Sequence, residues 1–224
     1  MEPIIVYEPA PRMEKIIQHL RSNFKDINPL PSDRGKRYKE LRRIPKDNPA
    51  IYLWGSGFNH GESFFFDTKD VNLKINFDAH TDTESRTSRL YHLYLSHIYH
   101  SAKRHNLNIL IFCNKHFHRF SNGRLILLNG EKLDFVQNIA YTIDLDIVND
   151  FPAERLWTND SELTLPQLIK TLNSAKNIFG GKLMRLDIGG LRETPEHTLT
   201  DKEWEFAIEC YTSVLEKGYE IMTK

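Results

Sequence analysis

Short apolar runs recur along this chain and alternate with longer amphipathic stretches. The runs are "IIVYE", "AIYLWG", "LKINFDAH", "LNILIFC", "AYTIDLDIV" and "KLMRLDIGG", all rich in Ile, Leu, Val and Phe. A strand that is covered on two faces meets water on neither, so near-continuous apolar runs of this length read as strands of a parallel sheet. The stretches between them carry the helical period. One predicted helix covers about 86–105, and another covers about 166–179 and is closed by Gly180-Gly181. The last segment places Trp204, Ile208, Tyr211, Val214, Leu215 and Met222 on one face, after a Thr200 and Glu203 pair spaced as a capping box. The rhythm predicts an α/β fold, a three-layer αβα sandwich with a mostly parallel sheet. There is no internal repeat or low-complexity segment, and 224 residues fit a single domain over 1–224 with a substantial core.

Composition narrows the function classes. Thirty basic side chains balance thirty acidic ones, so no global field draws the chain to nucleic acid or to an anionic membrane. The one strong charge run, "DRGKRYKELRRIPK" at 33–46, fits a solvated helix or loop face, or a docking surface for an acidic partner segment. Cys113 and Cys210 lie in an apolar run and a helical pattern, which predicts buried thiols in a reducing compartment. The N-terminus lacks a basic start followed by a long apolar stretch, and no window approaches the roughly 20 apolar residues that span a bilayer. A cytoplasmic protein is expected.

Candidate chemistry gathers where the apolar runs stop. In parallel sheets, ligands collect at the carboxyl ends of strands, where side chains converge on a crevice. "FDAHTD" delivers Asp78, His80 and Asp82 at every second position from such an end. Taken alone, the trio also fits a helix cap with a hydrogen-bonded histidine. "YTIDLDIV" adds Asp144 and Asp146, two carboxylates in an otherwise apolar run, where an unpaired charge costs several kcal/mol and needs a partner or a metal. "WGSGFNHGES" ends a strand in a glycine-rich turn carrying His60. Six ligands suffice for two metals, and oxygen-rich ligation with two imidazoles favours Mn2+, with zinc as the alternative. A two-metal site produces a reactive hydroxide near neutral pH.

A glycine-rich turn with His, then Asp-Ala-His-x-Asp, then Asp-x-Asp in a strand resembles the ureohydrolase family of arginases and agmatinases over roughly residues 50 to 222. The resemblance implies an arginase/deacetylase-like fold and two Mn2+ per chain. One ion would be held by His60, Asp78, Asp82 and Asp144, and the other by Asp78, His80, Asp144 and Asp146. It also implies hydrolysis of a guanidinium to urea and an alkylamine, with Asp82 moving a proton to the departing amine. "TSRLYHLY" points to His92 as the proton shuttle, a role suited to an imidazole titrating near neutrality. His116 and His118 of "KHFHRF" are loop substitutes for it.

The sequence departs from the family pattern in two places. Glycines stand in "LDIGGLRETPEH" where the family has an acidic partner for the guanidinium, which leaves Glu193, or Asp187, to take that part. Glu84 occupies a position that in free-arginine enzymes holds the substrate carboxylate with neutral groups, and a carboxylate there repels it. The chain is also short for the family, implying a more open mouth. Together these resemble the atypical peptide arginases that convert arginine to ornithine in ribosomally made precursor peptides, so an arginine-containing precursor peptide is the expected partner. The alternatives are a small-molecule guanidine hydrolase, a single-zinc deacetylase of the same fold, a binuclear phosphoesterase and a non-catalytic peptide-binding module. The phosphoesterase has its motifs in a different order. The oligomeric state is open.

Overall fold

The computed structural model describes residues 1–55, 71–79, 108–113, 116–121, 124–128, 136–152, 163–191 and 198–224. Among these, nine strands form one sheet: β1 (Ile4–Tyr7), β2 (Ile27–Pro29), β3 (Ala50–Leu53), β4 (Leu73–Phe77), β5 (Asn108–Cys113), β6 (His116–Ser121), β7 (Arg124–Leu127), β8 (Asn138–Asp144) and β9 (Lys182–Gly189). Their order across the sheet is β2-β1-β3-β9-β8-β4-β5-β6-β7. Every pair from β2 through β5 is parallel, and β6 and β7 add two antiparallel pairings at one edge.

Alternation along the strands sends side chains to two separate cores. Ile5 and Tyr7 of β1, Ile51 and Leu53 of β3 and Ile75 and Phe77 of β4 face one side. There they meet α1 (Pro11–Leu20), α3 (Leu165–Phe179) and α4 (Asp201–Thr223). Val6, Ala50, Tyr52 and Trp54 face the other side and pack on Leu41 of α2 (Arg34–Arg43) and on Ile44. Helices therefore cover both faces of the sheet, as expected.

Local chemistry sets the helix ends. In α1, Pro11 opens the first turn, and Met13, Ile16, Ile17 and Leu20 form the buried stripe. Reciprocal capping boxes start α3 at Thr164 and Gln167, and α4 at Thr200 and Glu203. Gly180 and Gly181 stop α3 at φ 67° and 71°. The buried stripe of α4 is centred on Ala207, Cys210, Tyr211, Val214, Leu215 and Gly218, so Trp204 and Ile208 lie at its margin. A Cβ on Gly218 would lie 2.1 Å from Leu186 Cδ2, which shows how closely α4 approaches β9.

Two expectations are corrected. β8 ends at Asp144 instead of continuing through Val148, because Leu145–Ile147 turn into a 3-10 helix. "KHFHRF" is not a loop: His116 and His118 belong to β6. The basic run at 33–46 supplies α2, capped by Asp33, and is a mostly solvated helix as expected, apart from Leu41 and from Arg37, which is buried and ion-paired to Glu8. The predicted helix at 86–105 lies outside the described residues, as does the side chain of Cys113. No helix among the described residues is long and apolar enough to cross a membrane.

Candidate metal centre

β4 and β8 are neighbours in the sheet, yet the strand that follows each in the chain lies on opposite sides of the pair: β5 beyond β4, and β9 beyond β8. Such a divergence opens a crevice at the carboxyl ends of the two strands. On β4, Leu73, Ile75 and Phe77 join the apolar core, so Lys74, Asn76 and then Asp78 point to the opposite face. On β8, Ile139, Tyr141 and Ile143 are in the core, while Ala140, Thr142 and Asp144 face with Asp78.

The end of β8 is shaped by its own carboxylate. Asp144 Oδ1 accepts from the backbone N–H of Asp146 at 3.1 Å and caps the 3-10 turn. That turn carries Asp146 toward β4, where its Oδ1 accepts from the Ala79 N–H at 3.3 Å. Asp78 Oδ2 accepts from Asn76 Nδ2, also at 3.3 Å. Each carboxylate is thus fixed by at least one donor, and ligand atoms of Asp78, Asp144 and Asp146 all lie within 4.8 Å of one another.

Burial makes this cluster electrostatically demanding. The three residues are 1%, 3% and 4% exposed. Two charges no farther apart than that repel by at least about 3.5 kcal/mol at an effective dielectric of about 20. Among the described residues, the buried charges on this face are Lys74, Arg185 and, on α2, Arg37, together with the carboxylates of Asp78, Asp144, Asp146 and Asp187. The donors among the described residues are all carboxylate oxygens, which suit a hard divalent cation such as Mn2+, Mg2+ or Ca2+, so the residues fit the metal they would hold.

The floor of the site is made of residues that the motifs do not reveal. Gly190, at φ 115°, follows β9 and passes so close to Asp144 that it has no room for a side chain. Tyr211 donates to the carbonyl of Trp54 at 3.1 Å. Burial pushes its hydroxyl pKa upward, opposed by a hydrogen bond with the Leu191 backbone and reinforced by the charge of Asp144. One register row deeper, Asp187 pairs across the sheet with Thr142, which in turn pairs with Asn76. Asp187 accepts from Trp54 Nε1 at 2.8 Å and from Arg185 Nε at 2.9 Å. Its two oxygens are engaged inside the sheet, so Asp187 is not placed to meet a guanidinium, contrary to expectation.

Of the residues singled out in the sequence, Asp78, Asp144 and Asp146 are brought together. His60, His80, Asp82, Glu84, His92 and Glu193 lie outside the described residues. His116 and His118 share the face of Asp78, because Phe117 between them packs on Phe77 and Phe112. His116 pairs with Cys113 of β5 and so stands two strands from β4, roughly 10 Å in strand spacings. The buried polar row was missed. Its sequence signal is the alternation of Lys74, Asn76 and Asp78 in "LKINFD", and of Thr142 and Asp144 in "YTID", unexpected in strands covered on both faces.

No family sequence profile and no curated protein matches the chain. Comparison of structures does give matches. The formimidoylglutamase of Bacillus subtilis is similar with a TM-score of 0.63 at 13% identity, over 99% of this chain and 87% of that one. The arginase of Medicago truncatula matches with a TM-score of 0.61 at 10% identity, over 99% and 87%. The arginase of Helicobacter pylori matches with a TM-score of 0.53 at 12% identity, over 96% and 99%. The mostly parallel sheet with helices on both faces is the fold of the arginases.

Proposed function

We propose that the protein is a binuclear manganese amidinohydrolase that cleaves the guanidinium of peptide-borne arginine, giving ornithine and urea. The observation that carries this reading is the buried convergence of Asp78, Asp144 and Asp146 on an arginase fold. The ligand sets are those the motifs imply: His60, Asp78, Asp82 and Asp144 for one ion, and Asp78, His80, Asp144 and Asp146 for the other. When bound, the two ions supply Lewis acidity that makes water a nucleophile near neutral pH.

The chain's own groups do the rest. Asp78 and Asp144, fixed from below by Asn76 and by the 3-10 turn, keep the donor atoms in place without reorganisation. Asp82 accepts the proton released as oxygen bonds to the guanidinium carbon. It returns that proton to the ornithine side-chain nitrogen as the C–N bond breaks. His92 exchanges protons with solvent. Glu193 pairs with the guanidinium, and Glu84 disfavours a free amino acid by opposing its α-carboxylate.

Incubating Mn-loaded protein with an arginine-containing peptide and, separately, with free arginine tests the assignment. Conversion of the peptide's arginine to ornithine, read by mass, supports it. Turnover of free arginine alone would return the protein to the small-molecule guanidine hydrolases. The precursor peptide as partner and a cytoplasmic location belong to this same proposal.

A further inference from the structure

Asn76 is an unexpected residue for its place. It lies in the middle of β4, near the centre of the sheet, and is fully buried. Asparagine is depleted in strands, and an apolar residue of similar volume would fit the site without a polar group. Its amide is spoken for on one side only: Nδ2 donates to Asp78 Oδ2 at 3.3 Å, whereas buried Oδ1 has no hydrogen-bond partner. The opposite amide orientation would set a carbonyl oxygen against a carboxylate oxygen, two acceptors face to face. The orphaned Oδ1 is therefore the consequence of presenting the donor to Asp78. Packing does not account for this asparagine; Asp78 does.

We propose that Asn76 is a positioning residue of the metal centre, holding the Asp78 carboxylate in its ligating rotation before any ion arrives. This rests on the reading of Asp78, Asp144 and Asp146 as a metal site. Two residues apart on one strand, Asn76 and Asp78 share a face by the geometry of the strand itself, so the hydrogen bond needs no loop to form it. Donors behind a ligating carboxylate restrict its orientation, and losing one typically lowers metal affinity about 10- to 100-fold.

The test combines two readouts expected to separate. Mn2+ affinity is measured by titration with EPR detection of free Mn2+, and the Tm of the metal-free protein is measured alongside, for wild type, Asn76→Leu, Asn76→Val and Asp144→Asn. The expected result for both Asn76 variants is a loss of Mn2+ affinity of about 10-fold or more. Their metal-free Tm should change little, because loss of the orphaned buried oxygen offsets loss of the donor to Asp78. Unchanged affinity overturns the proposal. So does a metal-free Tm that falls in step with affinity, or failure of both variants to fold, since either makes the amide a structural requirement. Asp144→Asn separates the two levels of the argument. If it abolishes Mn2+ binding while both Asn76 variants bind as wild type does, only the role of Asn76 falls. If wild type itself binds no Mn2+, the metal centre falls and Asn76 with it.

Discussion

A Cβ placed on Gly190 would lie 2.5 Å from Oδ1 of Asp144, with the backbone nitrogen of Leu145 only 2.6 Å away. The turn after β9 therefore forms a wall against the carboxylate, and glycine is the residue that permits it. Its φ of 115° makes the same demand independently. Gly190→Ala should destabilise the metal-free protein by about 1–3 kcal/mol through backbone strain, and should also displace Asp144. Urea denaturation and a Mn2+ titration on the same preparation check both effects; an alanine variant with wild-type affinity would show that the wall does not position the carboxylate.

Asp144 should be a stability liability without metal. Asp144→Asn keeps the oxygen that caps the 3-10 turn and removes one of three mutually repelling charges. The metal-free variant should equal or exceed wild type in stability by about 1–2 kcal/mol. Wild type alone should gain about 2.7 kcal/mol when free Mn2+ reaches about 100 times its Kd. Thermal unfolding with and without added Mn2+ measures the crossing of the two proteins.

The Arg185 and Asp187 pair should be structural. Both side chains are almost completely buried, and Trp54 supplies a second donor to Asp187. Arg185→Leu leaves Asp187 charged in the sheet with one partner fewer and should cost about 3–5 kcal/mol. Chemical denaturation gives the value, and a loss below about 1 kcal/mol would mean the pair is dispensable.

Alkaline pH should weaken the fold from about pH 9. Burial first, and the charge of Glu209 second, push the Cys210 thiol from its ordinary 9.0 up to about 12. The unfolded chain therefore releases this proton at lower pH than the folded one. The stabilisation is complete below about pH 9 and is lost as pH rises through about 12. Tyr141 and Tyr211, both raised mainly by burial, act in the same direction. Urea unfolding at increasing pH should show this decline, shallower in Cys210→Ala. Native protein at pH 8 should resist iodoacetamide at Cys210, as judged by peptide mass mapping, and should be labelled once unfolded.

The sheet was legible in the sequence because its central strands are apolar where they face α1, α3 and α4. The outer antiparallel strands were not, since His116, His118 and Arg119 give β6 the polarity of a loop. The site was legible as far as it is made of unusual residues: Asp144 and Asp146 betray themselves in an apolar run. Their geometry was not. The expected single strand face is a strand end plus a 3-10 turn, created by a hydrogen bond from the Asp146 N–H to Asp144 that no periodicity encodes. The role of Asn76 was hidden because an amide two residues before a carboxylate is unremarkable without its burial, and that of Gly190 because it acts on Asp144, distant in sequence.

Anomalous diffraction at the manganese edge, from crystals grown with Mn2+, tests the central claim most directly. Two peaks about 3.5 Å apart beside Asp78, Asp144 and Asp146 are the predicted result. A single zinc there would point to deacetylase chemistry, and no metal between these carboxylates would contradict the account at its base.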